Sequence, residues 1–66
     1  MIDIHQTAIV DSRAELADGV VVGPFCVIGP HVKIGRDTRL MSHVVVDGYT
    51  TMGERNTVYP FAALGL

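Results

Sequence analysis

Three imidazoles and one thiol are the first side chains in this 66-residue sequence to consider for chemistry. His5, His31 and His43 are its only imidazoles, and imidazoles are common ligands of zinc. Cys26 is its only thiol, and a thiolate is a strong nucleophile. Whether these groups can act together depends on the fold that positions them.

The sequence repeats every six residues. Each sixth residue from Ile4 onward is a large aliphatic one, and the set is Ile4, Val10, Leu16, Val22, Ile28, Ile34, Leu40, Val46, Met52, Val58 and Leu64. Neither a helix nor a strand has a period of six by itself, but a short strand followed by a tight corner does. The period therefore indicates a repeat protein built from strands and corners.

A second rule accompanies the first, because the residue four positions after each large aliphatic is small or slender. These residues are Ala8, Ala14, Val20, Cys26, Val32, Thr38, Val44, Thr50, Asn56 and Ala62. Residues two apart on a strand share a face, so we expect each small residue to point inward with the next large one. Glycine often follows the aliphatic residue, as at Gly23, Gly29 and Gly35. Such glycines predict corners with unusual backbone dihedrals.

Three strands and three corners would close a triangular coil of about eighteen residues, and successive coils would pair as parallel strands. The sequence thus predicts an all-β fold, a parallel β-helix of about three and a half triangular coils. Its first face would stack Ile4, Val22, Leu40 and Val58; its second Val10, Ile28, Val46 and Leu64; its third Leu16, Ile34 and Met52. The alternative, an antiparallel sandwich, usually has less regular turns at spacings of about 8–12 residues.

The outward side chains distinguish the faces. On the second face they are Ile9, Val27, Val45 and Ala63, whereas on the third they are Glu15, Lys33 and Thr51. Phe25 and Phe61 flank His43 at the corner beside the second face, in one predicted column with Thr7. A continuous apolar stripe predicts an interface, although β-branched residues also simply favour strands. The polar third face favours the interface interpretation.

This coil geometry separates the chemical candidates. His5 and His43 would differ by two coils, about 9.6 Å in height, while His31 occupies another corner, so one chain cannot gather them around one metal ion. Cys26 fills an inward slot, where a thiol acts as a small apolar group. The sequence therefore predicts no catalytic, substrate-binding or metal site and no cofactor within these residues. A zinc site between subunits stays open at this point.

The two aspartates of the second face, Asp11 and Asp47, are the remaining candidate for acid–base chemistry. They would lie in register but two coils apart, too far to share a proton. We expect them to stabilise corners or contribute to the interface.

Composition narrows the function classes. The net charge is -2 and only five residues are Lys or Arg, which disfavours binding to nucleic acid or an anionic membrane. No apolar run approaches the roughly 18 residues of a membrane span, and the start Met1-Ile2-Asp3 lacks the features of a secretory signal. With one unpaired cysteine, these features predict a cytoplasmic protein.

Several segments resemble the hexapeptide-repeat acyltransferases, in particular those of lipid A synthesis. The segments are Gly23-Pro24-Phe25-Cys26-Val27, Ile28-Gly29-Pro30-His31-Val32-Lys33-Ile34-Gly35, Ser42-His43-Val44-Val45-Val46-Asp47-Gly48 and Tyr59-Pro60-Phe61-Ala62-Ala63-Leu64-Gly65. The resemblance implies a left-handed parallel β-helix, a homotrimer, and residues 1–66 as the N-terminal part of a single β-helix domain. Gln6, Ala63 and Leu66 depart from the family's usual residues, without affecting the expected fold.

The same resemblance implies an activity: transfer of a 3-hydroxyacyl chain from acyl carrier protein to the 3-hydroxyl of UDP-N-acetylglucosamine. In that family a histidine on a later coil acts as the general base, and none of the three histidines here matches it. Two alternatives stay open, the N-acyltransferase of a later lipid A step and a non-catalytic assembly module.

Overall fold

The structure is a computed structural model, and it describes residues 1–65. These residues form eleven strands of two or three residues each. The strands are β1 Asp3–Ile4, β2 Ile9–Val10, β3 Glu15–Leu16, β4 Val21–Val22, β5 Val27–Ile28, β6 Val32–Ile34, β7 Arg39–Leu40, β8 Val45–Val46, β9 Thr50–Met52, β10 Thr57–Val58 and β11 Ala63–Leu64. Each strand pairs with the strand three positions later in the chain, as a triangular coil requires.

Three parallel sheets form the three faces of the prism. The first face has the order β1-β4-β7-β10, the second β2-β5-β8-β11 and the third β3-β6-β9. On the first face Ile4 pairs with Val22, Val22 with Leu40 and Leu40 with Val58. The three predicted aliphatic ladders and the hexapeptide-repeat β-helix are therefore confirmed.

The core is confined to the middle of the stack. Its buried apolar members are Val20, Val22, Cys26, Ile28, Val32, Ile34, Leu40, Val44 and Val46. Thr38 is also buried, and its hydroxyl donates to the carbonyl of Gly53 at 3.0 Å. Ile4, by contrast, is 43% exposed, because coil one has no neighbour beneath it in the described chain. It lines an open hollow of about 630 Å³ together with Ile2, Val10 and Leu16.

The corners differ from the sequence prediction. Gly23, Gly29 and Gly35 do not have positive φ, so the prediction of unusual dihedrals there is wrong. Glycine is needed instead because successive coils approach closely: a Cβ on Gly23 would fall on the backbone carbonyl of Met41. A Cβ on Gly35 would lie 2.6 Å from the carbonyl of Gly53. Contact between coils, and not local turn geometry, explains these residues.

Candidate assembly surface

Corner one, which joins the first face to the second, carries a vertical column of rings. Phe25, His43 and Phe61 occupy equivalent positions in successive coils, with φ of 59°, 52° and 65°. The left-handed conformation costs an L-residue roughly 1–2 kcal/mol, and bulky side chains rarely adopt it. The equivalent slot of the corner between the third and first faces has the same conformation, in Gly19, Asp37 and Arg55, so what distinguishes corner one is that its side chains are rings.

The three rings stack face to face. The Phe25 and His43 ring centroids are 5.1 Å apart with an interplanar angle of 28°, and those of His43 and Phe61 are 5.1 Å apart at 22°. The backbone supports the stack, since the N–H of His43 donates to the carbonyl of Pro24 at 3.0 Å. His43 is thus held between two phenyl rings, as its spacing predicts.

Thr7 forms the base of this column. Its hydroxyl oxygen accepts a hydrogen bond from the backbone N–H of Phe25 at 3.0 Å and lies 2.8 Å from His5 Nδ1. The backbone N–H of Thr7 also donates to His5 Nδ1 at 3.1 Å. Because Nδ1 accepts these bonds, a neutral His5 carries its proton on Nε2. His5 therefore stabilises the corner.

The second face presents an apolar stripe beside the column. Its outward residues pair in register, Ile9 with Val27 and Val27 with Val45. Ile9 is 67% exposed and Val27 is 40% exposed, whereas Val45 is half-buried. Apolar side chains that could have been polar at no cost to the core are typical of a contact surface.

The third face has the same backbone and the opposite chemistry. Glu15 pairs with Lys33, and Lys33 with Thr51. The ammonium of Lys33 lies 3.8 Å from the Glu15 carboxylate, and both side chains are largely solvated. An exposed ion pair of this kind contributes little to stability and keeps the face in water.

Sequence reasoning missed two apolar residues on the other flank of corner one. Met41 and Tyr59 follow the first-face ladder in successive coils and are 39% and 69% exposed. The available signal was their spacing: Met41 and Tyr59 are eighteen residues apart, and each directly follows a ladder residue of the first face, as His5 and Gly23 do. The apolar surface therefore continues around corner one onto the first-face side.

The remaining chemical candidates are dispersed. Cys26 is fully buried in the core, as predicted. His31 stacks on Tyr49 at a different corner, with centroids 4.4 Å apart and planes at 11°, a pair that sequence reasoning also missed. Within residues 1–65 there is no group of three or more side chains that could hold a metal ion.

Asp11 stabilises its own corner. Its carboxylate accepts a hydrogen bond from the Arg13 backbone N–H at 2.9 Å and another from Arg13 Nε at 3.2 Å. The hydrogen-bonded Arg13 guanidinium lowers the pKa of Asp11 below its ordinary value, and the backbone bond acts in the same direction. The Asp47 carboxylate accepts a hydrogen bond from the N–H of Gly48 at 2.8 Å, so each aspartate stabilises a separate turn.

The described residues thus offer a scaffold and an apolar surface at corner one. Residues 1–65 include no long apolar helix of the kind that crosses a membrane. A parallel β-helix of stacked hexads is the architecture of one class of repeat proteins, the hexapeptide-repeat proteins.

Comparison with known families agrees with this class. The family model described as bacterial transferase hexapeptide (six repeats) matches residues 13–48, more than half of the chain. The chain belongs to this family.

Curated relatives extend the match to nearly the whole chain. They carry the name acyl-[acyl-carrier-protein]–UDP-N-acetylglucosamine O-acyltransferase. The protein of Thermodesulfovibrio yellowstonii is 49% identical over 65 residues, 98% of this chain and 25% of that protein. The protein of Syntrophobacter fumaroxidans is 58% identical over 62 residues, 94% of this chain and 24% of its own length. The one from Brucella anthropi is 55% identical over 62 residues, again 94% of this chain and 22% of its own. The chain spans about a quarter of the length of these relatives.

Proposed function

We propose that residues 1–66 are the N-terminal part of the single β-helix domain of a cytoplasmic acyltransferase. The complete protein would transfer a 3-hydroxyacyl chain from acyl carrier protein to the 3-hydroxyl of UDP-N-acetylglucosamine, the first step of lipid A biosynthesis. The observation that carries this proposal is the identity of 49% to 58%, over 94% or more of the chain, to proteins named as O-acyltransferases that act on acyl-[acyl-carrier-protein] and UDP-N-acetylglucosamine.

Within that enzyme this segment would have a structural role. Acyl transfer requires a base to take the proton of the attacking sugar hydroxyl while the carbon–sulfur bond of the thioester breaks. The three histidines here are engaged otherwise: His5 by Thr7, His31 by Tyr49 and His43 by two phenyl rings. The base would therefore come from a later coil, as the family resemblance implies.

The structural role would include assembly into a homotrimer. Corner one and the second face would supply the apolar contact surface, and the solvated third face would remain in water.

The experiment is an acyl-transfer assay on the complete protein, with labelled 3-hydroxyacyl carrier protein as donor. We expect an ester on UDP-N-acetylglucosamine and no product on the matched 3-deoxy sugar nucleotide, which lacks the accepting hydroxyl. Transfer only to the amine of UDP-3-O-acylglucosamine would replace the proposal with the N-acyltransferase. No transfer to any acceptor by the folded protein would leave an assembly module.

A further inference from the structure

The dipeptide Asp-Gly occurs twice in this chain, in closely matched surroundings. Asp18–Gly19 lies at corner three, which joins the third face to the first, and Asp47–Gly48 lies at corner two, which joins the second face to the third. Both aspartates are exposed and both glycines are half-buried. Both glycines also have a left-handed backbone, with φ of 78° and 68°. One reaction can therefore be compared at two sites of the same molecule.

An Asp-Gly dipeptide can rearrange without an enzyme. The glycine nitrogen attacks the side-chain carboxyl carbon of the aspartate, a C–N bond forms, and the nitrogen's proton leaves with the carboxyl hydroxyl as water. The product is a succinimide ring. Water then opens the ring at either carbonyl, which gives aspartate again or isoaspartate, whose backbone runs through the side-chain carbon. The two steps release and take up one water, so no other reactant is needed.

At Asp47 the fold presents the attacking nitrogen to the carboxyl group. The N–H of Gly48 donates to Asp47 Oδ1 at 2.8 Å, so the carboxyl carbon, one bond further, lies beside the same nitrogen. Gly29 in the coil below makes room for this arrangement, because a Cβ there would fall on Asp47 Oδ1. Reacting groups that are already in contact lose less freedom on the way to the transition state.

At Asp18 the fold directs the same groups elsewhere. The N–H of Gly19 donates to the carbonyl of Met1 at 3.1 Å, and the Asp18 carboxylate is paired with the N-terminal ammonium. The hydrogen-bonded ammonium lowers the pKa of Asp18 below its ordinary value. A carboxylate is a poorer electrophile than a neutral carboxyl group, so this ion pair opposes the attack.

We propose that Asp47 is the site at which this chain isomerises to isoaspartate, and that Asp18 is protected. The consequence would be local, because isoaspartate adds one atom to the backbone of corner two. The N–H of Asp47 donates to the carbonyl of Leu64 in the coil above, and its carbonyl accepts from the Thr50 hydroxyl at 2.7 Å. A longer backbone would displace both groups and loosen the coil above at this corner.

The test is to age the complete protein at mildly acidic pH in heavy-oxygen water and to map isoaspartate by mass spectrometry. Each passage through the succinimide incorporates a labelled oxygen, and fragmentation distinguishes isoaspartate from aspartate. We expect about tenfold more isoaspartate at Asp47 than at Asp18 in the folded protein. Asp47→Glu, which would have to close a larger ring, should give no product at that position and leave Asp18 unchanged.

Unfolding provides the control, because in urea the two dipeptides lose their different surroundings. The amounts of isoaspartate at Asp47 and Asp18 should then agree within about twofold. An excess at Asp47 that persisted in urea would overturn the structural explanation. Equal or greater isomerisation at Asp18 in the folded protein, or none at either site, would overturn the proposal itself. These outcomes are independent of the acyl-transfer assay and of the assembly role.

Discussion

The second and third faces of this prism have the same backbone and opposite exteriors. Both consist of parallel strands in register, and both place large aliphatic side chains in one core. Their outward residues differ completely: Val27 and Val45 occupy the slots that Lys33 and Thr51 occupy on the third face. In a repeat of this kind the inward residues determine the fold, and the outward residues are free to determine what it contacts.

The corners repeat the contrast. Corner three has Gly19, Asp37 and Arg55 in the left-handed conformation, and corner one has Phe25, His43 and Phe61. Glycine and aspartate adopt that conformation more readily than phenylalanine does. Arg55 shows that a long side chain also adopts it at corner three, so the contrast between the corners lies in the exposed rings of Phe25 and Phe61.

The largest effect should come from the backbone that both faces share. Gly23→Ala would place a methyl group on the Met41 carbonyl, and a backbone atom cannot move aside without separating two coils. We expect a loss of about 3 kcal/mol or more in the free energy of unfolding, measured by urea denaturation. The control is Ala17→Gly, the reverse change in the same hexad slot at corner three, which should cost about 1 kcal/mol or less. A Gly23→Ala protein as stable as the wild type would contradict the close approach of the coils.

A smaller effect is expected from the column of rings. Phe25→Ala or Phe61→Ala removes an exposed ring, so the fold should persist while the trimer weakens by about 1–2 kcal/mol per contact. Arg55→Ala, in the equivalent slot at corner three, should leave association unchanged. Equilibrium sedimentation over a dilution series measures all three variants. Equal weakening by Arg55→Ala would remove the distinction between the corners.

The smallest effect is expected in the pH dependence of folding stability, through the corner that Asp11 stabilises. The Arg13 guanidinium lowers the pKa of Asp11 in the folded state, so the pair stabilises the fold above the unfolded pKa of about 3.9. That contribution should disappear as pH falls through the lower, folded pKa. Arg13→Gln should raise the pKa of Asp11 in an NMR titration, whereas Arg55→Gln should not. An Asp11 pKa unaffected by Arg13→Gln would show that the hydrogen bond from the Arg13 side chain is absent in solution.

The period of six was sufficient to predict the fold and part of the surface. It predicted that Val22 lies above Ile4, that Cys26 is buried, and that His43 stacks between Phe25 and Phe61. These features follow from repetition alone, because residues one coil apart must be neighbours.

Other features depend on distances that a repeat pattern does not contain. The reason for Gly23 is the approach of the Met41 carbonyl from the next coil. The flank formed by Met41 and Tyr59, and the stack of His31 on Tyr49, depend on how side chains lean at the corners. The exposure of Ile4 depends on its position in the terminal coil of the stack, although its hexad resembles the others.

The most direct test of the assembly surface compares Val45→Asp with Thr51→Asp in the complete protein. Both place a carboxylate at the same outward hexad slot of neighbouring strands, one on the second face and one on the third. A carboxylate buried without a partner costs roughly 3 kcal/mol per contact, a factor of ~100 or more in association. Sedimentation should show Val45→Asp well below the trimer mass and Thr51→Asp at it, with Val27→Asp matching Val45→Asp. An unchanged trimer for Val45→Asp and Val27→Asp would contradict the account.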